Sequence, residues 1–375
     1  MLLLNLKFYR RIVISKLLLG ACAVAFAACS ASRGAKSPAD GGNAPPAASP
    51  VAEHGQLSVV GTQLVDRAGN PVQLKGVSSQ WLNYESRNYP ESKDGIAYAR
   101  DHWKLSVIRA AMGTEAKGGY LSSAAGKSAM QDKVNTIIQN AIDLGIYVIV
   151  DWHTSAAVTA TTTQQADAVA FFTDIAQRYG STPNVIYEPF NEPRRVTWAQ
   201  IKPYHEAVVA AIRAVDPDNL IVLGTPTFSQ DVDIAAQDPV AGTNLLYTLH
   251  FYACTHKQPL RDKADAALAL GAPLFITEFG ATPSDGGTPG NGDNIVCEDE
   301  ANNWFSWMAA NHVSGAGWKL DQCADTSCLL TFYAPVDGPW TDDLLTSDAG
   351  GTPADGGGVQ VMGGHGQFVV SWIRQ

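Results

Sequence analysis

The sequence predicts an α/β chain folded as a (β/α)8 TIM barrel, with a small β-hairpin at its N-terminal side. Two observations carry that prediction. Short, continuous apolar runs recur eight times between residues 74 and 318, alternating with stretches whose apolar residues fall at helical spacing. At the C-terminal end of nearly every run stands a polar or aromatic side chain. Continuous runs suit parallel strands buried on both faces. Eight such units in about 300 residues suit a closed barrel, whose chemistry gathers where the βα loops converge. A doubly wound open sheet is the rival. No GxGxxG or P-loop follows the first run, which removes its usual nucleotide-binding form.

The first residues read as an address. Lys7, Arg10, Arg11 and Lys16 lead into an apolar stretch, Leu17 to Ala28, of secretory h-region length and short for a bilayer span. Phe26-Ala27-Ala28-Cys29 then predicts a signal peptide over 1–29 and a lipoprotein modified at Cys29. Leu19-Gly20-Ala21-Cys22 would leave a very short h-region, and plain cleavage near Ala25-Phe26-Ala27 is the alternative without lipid. Residues 30–50 hold mainly Ala, Ser, Pro and Gly and predict a flexible tether, which leaves 51–375 for the barrel.

The hairpin is expected over Leu57 to Leu74, with Asp66-Arg67-Ala68-Gly69-Asn70 as its turn. The strand runs are Leu74–Val77, Val107–Ala110, Tyr147–Val150, Val185–Tyr187, Leu220–Leu223, Leu245–Leu249, Leu274–Thr277 and Gly315–Trp318. Between them, Met130, Val134, Ile137, Ile138, Ala141 and Ile142 form a helical stripe closed by Gly145. Val169, Phe172, Ile175, Ala176 and Tyr179 form another, closed by Gly180. Ile201, Tyr204, Val208, Ile212 and Val215 form a third, stopped at Asp216-Pro217. A glycine-rich stretch, Ala349 to Gly366, predicts a long loop.

Composition narrows the partners. The chain has 375 residues, 46% apolar and 17% charged, enough for a large core and too apolar for disorder. Its net charge of −10 disfavours nucleic acid or anionic lipid, so membrane contact is expected only through the N-terminal anchor. A monomer acting on a neutral ligand is the expectation. Cys254, Cys297, Cys323 and Cys328 would meet an oxidising compartment, where pairing is the default. Cys323 with Cys328 staples one loop and leaves Cys254 with Cys297, although three connectivities are open. No CxxC pair supports zinc.

The strand ends bring Arg109, Asp151-Trp152-His153, Glu188, Asn191 and Glu192, His250 and Tyr252, Glu278, and Trp318 to one end of the barrel. A lone Asp or His there is usually a cap or a loop hydrogen-bonder; a polar group on nearly every strand is not. Glu192 sits in a proline-stiffened loop, Tyr187-Glu188-Pro189-Phe190-Asn191-Glu192-Pro193, and Glu278 between aromatics in Phe275-Ile276-Thr277-Glu278-Phe279-Gly280. Carboxylates at such depth are costly unless paired or used. Two across one cleft are the minimum equipment for glycoside hydrolysis.

The run from Leu57 to Arg374 resembles glycoside hydrolase family 5, and within it the bacterial endoglucanase (cellulase) branch. Seven motifs in order carry the resemblance: Leu74-Lys75-Gly76-Val77-Ser78, Ile108-Arg109-Ala110-Ala111-Met112, Val150-Asp151-Trp152-His153, Asn191-Glu192-Pro193, His250-Phe251-Tyr252-Ala253, Ile276-Thr277-Glu278-Phe279-Gly280 and Gly317-Trp318. The resemblance implies Glu192 as acid/base and Glu278 as nucleophile of a retaining double displacement, without cofactor or metal. It implies Arg109, His153, Asn191, His250, Tyr252 and Trp318 around the sugar, with Tyr84 and Gln80 as further substrate contacts. Tyr252 and Arg109 are also expected to hydrogen-bond Glu278, holding it ionised and oriented, with a purely structural ion pair as the alternative for Arg109. It implies internal cleavage of a β-1,4-linked glucan such as cellulose. The catalytic pair does not encode the sugar, so mannan, xyloglucan and mixed-linkage glucan are alternatives. Other classes are a non-catalytic polysaccharide-binding lipoprotein and a metal-dependent hydrolase using His153, His250 and Asp151. The chain departs from the branch pattern at Gln80, where His is frequent, and at Tyr84 and Phe228, where Trp is. Residues 30–50 are too polar and short for a carbohydrate-binding module.

Overall fold

The computed structural model describes residues 46, 48–85, 87–115, 117–154, 162–286, 295–323, 325–338, 340–347 and 364–375. The predicted signal segment with Cys29, most of the predicted tether and positions 349–363 of the glycine-rich stretch lie outside the described residues.

Two short antiparallel strands come first, β1 (Ser58–Val60) and β2 (Gln63–Val65). They turn at Gly61-Thr62, which begins five residues before the predicted turn at Asp66, because Gly61 takes the left-handed backbone (φ 61°) that a two-residue link needs. The expected 66–70 turn is also present, as the next one: Asp66 Oδ1 accepts from the backbone of Ala68 and Asn70, and Val65 bridges Pro71. A preceding five-residue helix, Pro50–His54, is capped by the Ser49 hydroxyl.

Eight parallel strands then close a barrel: β3 (Lys75–Ser79), β4 (Val107–Gly113), β5 (Tyr147–His153), β6 (Val185–Glu188), β7 (Ile221–Leu223), β8 (Leu245–Tyr252), β9 (Leu274–Gly280) and β10 (Ser314–Leu320), with β10 beside β3. Each predicted run is a strand. The helical stripes appear as helices Ala124–Leu144, Thr162–Tyr179 and Trp198–Arg213. Gly145 ends the first in left-handed conformation (φ 68°), and a Thr197–Gln200 capping box opens the third.

Alternation along the strands sets the barrel's contents. Low in the interior, Val107, Tyr147, Ile149, Ile186, Val222, Leu246 and Phe275 pack with Leu57, Leu64 and Leu74 from the hairpin region. Two residues further along the same strands the column turns polar, at Arg109, Asp151, Glu188, Thr248 and Thr277, all buried. The apolar plug supports the polar layer.

One strand breaks the alternation. Thr248 pairs with Phe275 but His250 with Glu278, so two steps along β8 match three along β9, and β10 shows the same slip between Ile276 and Phe279. This bulge lets the neighbours Thr277 and Glu278 both reach the interior network.

The cysteines pair as the loop reading preferred. Cys254 joins Cys297, tying the segment after β8 to the helix Glu298–Ala310, and Cys323 joins Cys328 after β10. No described helix is long and apolar enough to cross a membrane.

Candidate active site

Arg109 is the hub beneath the site. Its guanidinium donates to Glu188 Oε2 (2.7 Å, Nε), to Asn191 Oδ1 (2.6 Å, Nη2) and to Glu278 Oε2 (2.9 Å, Nη1), and Nη2 lies 2.9 Å from Asp151 Oδ2. Burial opposes its charge, yet Asp151, Glu188 and Glu278 outweigh that and hold the group protonated above its ordinary value. Being fully buried, it lies beneath the cleft and does not line it. Of the two roles expected for Arg109, a place around the sugar and a hydrogen bond to Glu278, the structure shows the second: the residue fixes groups that face the cleft.

Glu278 is held at both oxygens. Tyr252 donates its hydroxyl to Oε1 at 2.6 Å while Arg109 holds Oε2. Burial, with Glu278 beside it, pushes the Tyr252 phenol well above its ordinary range, so it stays a donor. A carboxylate gripped in this way presents a fixed direction to the cleft.

Glu192 has a different environment. His250 Nδ1 lies 2.9 Å from Glu192 Oε1, and His250 Nε2 lies 2.9 Å from Thr277 Oγ1. The Thr277 hydroxyl donates to Glu188 Oε1 at 2.6 Å, so it accepts from His250 Nε2–H. Burial lowers the His250 pKa to about 4, which makes the ring neutral near pH 7. A neutral ring protonated at Nε2 offers only a lone pair at Nδ1, and Glu192 must then be the donor. Burial points the same way, pushing the Glu192 carboxyl up to about 7 against the pull of Arg109 and Arg194. The arrangement stores a proton on Glu192.

Asn191 and His153 are oriented by the same logic. With Asn191 Oδ1 on Arg109, its Nδ2 faces His153 Nε2 at 3.4 Å and the cleft. His153 Nδ1 lies 2.6 Å from Asp151 Oδ2, and burial keeps the His153 pKa well below its ordinary value. Trp318 lies parallel to the His153 ring, with centroids 5.5 Å apart, and the rim is completed by Trp81 against the His153 edge at 4.4 Å.

These side chains open into a cleft of about 540 Å³ lined by His153, Asn191, Glu192, His250, Tyr252, Glu278 and Trp318. Gln80 and Tyr84 do not line it. The Gln80 carbonyl turns back to accept from the Trp81 backbone, and the turn at 81–85 sends Trp81 inward while Tyr84 stays exposed outside it. Trp81, for which the sequence left core and rim equally open, is at the rim. Gln230, His256, Ser284 and Asp285, which lie in loops without periodicity, line the cleft without having been singled out, and Phe228 stood out only as a departure from the family pattern. His365 escaped notice entirely. Its Nδ1 accepts from Ala281 N and its Nε2 donates toward Trp318 O and Ser327 O, joining the ends of β9 and β10 under the aromatic wall.

Glu192, His250 and Glu278 offer ligand atoms all within 4.8 Å of one another, the one cluster at the site among the described residues that a metal would consider. The donors are already engaged: Glu278 by Arg109 and Tyr252, Glu192 by His250. A guanidinium 2.9 Å from Glu278 also repels a cation there. The set does not fit a resident metal.

A TIM barrel whose strand ends present one proton-bearing carboxyl and one arginine-held carboxyl across a cleft belongs to the glycoside hydrolase class of sites. The chain belongs to the cellulase family, glycosyl hydrolase family 5, whose model matches residues 65–324. It is 44% identical over 297 residues to an endoglucanase of Clostridium saccharobutylicum, covering 78% of this chain and 63% of that one. It is 46% identical over 229 residues to endoglucanase Z of Dickeya dadantii, covering 61% and 51%. The chain thus spans about half to two thirds of the length of these curated relatives. Among solved structures, the catalytic domain of a Thermobifida fusca endoglucanase superposes with TM-score 0.75 at 29% identity, covering 87% of this chain and all of that domain (100%). A Cytophaga hutchinsonii structure gives TM-score 0.75 at 36% identity, covering 87% and 96%.

Proposed function

We propose that the chain is an endo-acting, retaining β-1,4-glucanase, with Glu192 as general acid and base and Glu278 as nucleophile. The observation that carries this reading is the pair itself: a Glu192 oxygen and a Glu278 oxygen lie within 4.8 Å of each other, which favours the spacing of about 5–5.5 Å for double displacement over the roughly 6.5–9.5 Å that leaves room for water in inversion. In the first step Glu278 attacks the anomeric carbon while Glu192 gives its proton to the departing oxygen. In the second, Glu192 takes a proton from water, which displaces Glu278. Asn191 Nδ2 is placed to donate to the sugar 2-OH, a contact that strengthens in the transition state. The glucan preference is supported by the names of the relatives and by a structural neighbour, a variant of the Thermobifida fusca domain, solved with cellotetraose. Export is part of the same proposal and is supported by the two disulfides, which need an oxidising compartment; Cys29 as lipid anchor rests on the Phe26-Ala27-Ala28-Cys29 motif alone.

A panel of soluble β-1,4-glucan, mixed-linkage glucan, xyloglucan and mannan, with product sizing and anomer analysis, tests this. Internal cleavage of the β-1,4-glucan with the β-anomer formed first is expected. Binding without turnover, or an initial α-product, would sink it.

The pH profile gives a second expectation. Glycosylation needs protonated Glu192, so kcat/KM on glucan should fall about tenfold per unit above pH ~7. On dinitrophenyl cellobioside, whose leaving group needs no proton, that limb should vanish. A limb that persists there belongs to another group.

A further inference from the structure

Glu192 is carried by a loop, residues 189–193, that lies outside any helix or strand and is nonetheless pinned along its length. Tyr204 Oη donates to Pro189 O at 2.9 Å, and Asn191 N donates to Trp152 O at 3.2 Å. The peptide unit between Asn191 and Glu192 is clamped at both ends. Its N–H donates to Thr154 O at 3.1 Å, and its carbonyl accepts from Ser229 Oγ at 2.7 Å.

Ser229 comes from an unusual turn after β7. Thr227, Phe228 and Ser229 all occupy the left-handed region in succession, with φ of 56°, 59° and 56°. Residues with a Cβ avoid this region, and a run of three non-glycine residues there persists only where the surroundings impose it. Ser229 N bonds Thr225 O, the Thr227 hydroxyl bonds Asp231, and Asp231 pairs with Lys263. Gly224 lets the segment close on the catalytic loop, since a Cβ there would lie 2.2 Å from Phe190 O. The turn thereby delivers a fully buried hydroxyl to Asn191 O and the Phe228 N–H to Pro193 O.

We propose that Ser229 is a positioning residue of the acid: its hydroxyl fixes the Asn191 carbonyl and, through that peptide plane, the direction in which Glu192 enters the cleft. The proposal rests on Glu192 being the general acid. Without the hydroxyl the plane is held only at its N–H end and can rotate, swinging Glu192, whereas the Asn191 side chain stays held by Arg109 at 2.6 Å.

Ser229→Gly removes the hydroxyl and tolerates the left-handed backbone, so the fold is spared. Its kcat/KM on methylumbelliferyl cellobioside should fall about 10- to 100-fold, the scale of a small misplacement. Dinitrophenyl cellobioside should lose less than about twofold, since no proton is needed. Ser229→Ala should discriminate equally. Equal losses on both substrates, no loss on either, or discrimination in the alanine variant alone would overturn the proposal. Glu192→Ala separates the two readings. If it discriminates and Ser229→Gly does not, only the Ser229 assignment falls. If Glu192→Ala fails to discriminate, the acid assignment falls and takes this one with it.

Discussion

Glu192→Ala should cleave β-glucan about 10²–10⁴ times more slowly while forming the glycosyl-enzyme from dinitrophenyl cellobioside at nearly the original rate. A sugar hydroxyl is a poor leaving group without a proton; a dinitrophenolate is not. Deglycosylation slows too, because the same residue serves as its base, so the intermediate accumulates after a burst. Azide needs no base and should restore turnover, giving a β-glycosyl azide. Glu278→Ala lacks the attacking oxygen itself, so a good leaving group rescues nothing, and azide can give only an α-product. Stopped-flow bursts and product NMR check both variants. A burst and β-azide from Glu278→Ala would reverse the assignment.

Arg109→Leu should be the most destabilising single change in the barrel. The arginine is buried against Asp151, Glu188 and Glu278, and its loss strands three carboxyls with no cation. Breaking one buried pair costs about 3–5 kcal/mol, and this hub should cost at least that. The sign of the pH dependence follows from linkage. In the intact protein burial already raises Glu188 to about 7 and lifts Asp151 well above its usual value, each against the pull of Arg109. Removing Arg109 lifts them further. A carboxyl whose folded value exceeds its unfolded one binds more protons when folded, so stability falls as pH rises from the unfolded value toward the folded one. Below pH ~7 these carboxyls stay protonated in both folded proteins, which lose stability alike, so the deficit of the variant should be flat there and grow as pH rises above ~7, by urea melts at pH ~6 and ~9. A deficit independent of pH would mean that packing and not charge is what Arg109 supplies.

The two glutamates were visible in the chain because their signals are local. Glu192 follows a continuous apolar run and is bracketed by prolines, and Glu278 closes another between aromatics. Such runs depend only on burial at both faces, and their polar ends only on where a strand leaves the core. The eight strands, the three helical stripes with their glycine and Asp-Pro stops, and the short Cys323–Cys328 staple were readable for the same reason: each is set by neighbours in sequence.

What faces what was another matter. The Arg109–Glu278 contact was expected from two strand ends, but not the burial of Arg109 beneath the cleft, where Asp151 and Glu188 converge on it from two further strands. The β9 bulge, invisible in Phe275-Ile276-Thr277-Glu278, exists only as a slip against β8 and β10. Gln80 and Tyr84 carried the right chemistry for a sugar, but the turn at 81–85 gave the cleft wall to Trp81. Ser229 and His365 reach their partners across 38 and 47 residues. Amino-acid order dictated the strands, their ends and the two carboxyls, since burial and turn chemistry act over a few residues. Barrel closure alone chose the proton donor's histidine, the hub under the pair and the wall of the cleft, since hydrogen bonds between strands depend on register and depth that no single segment contains.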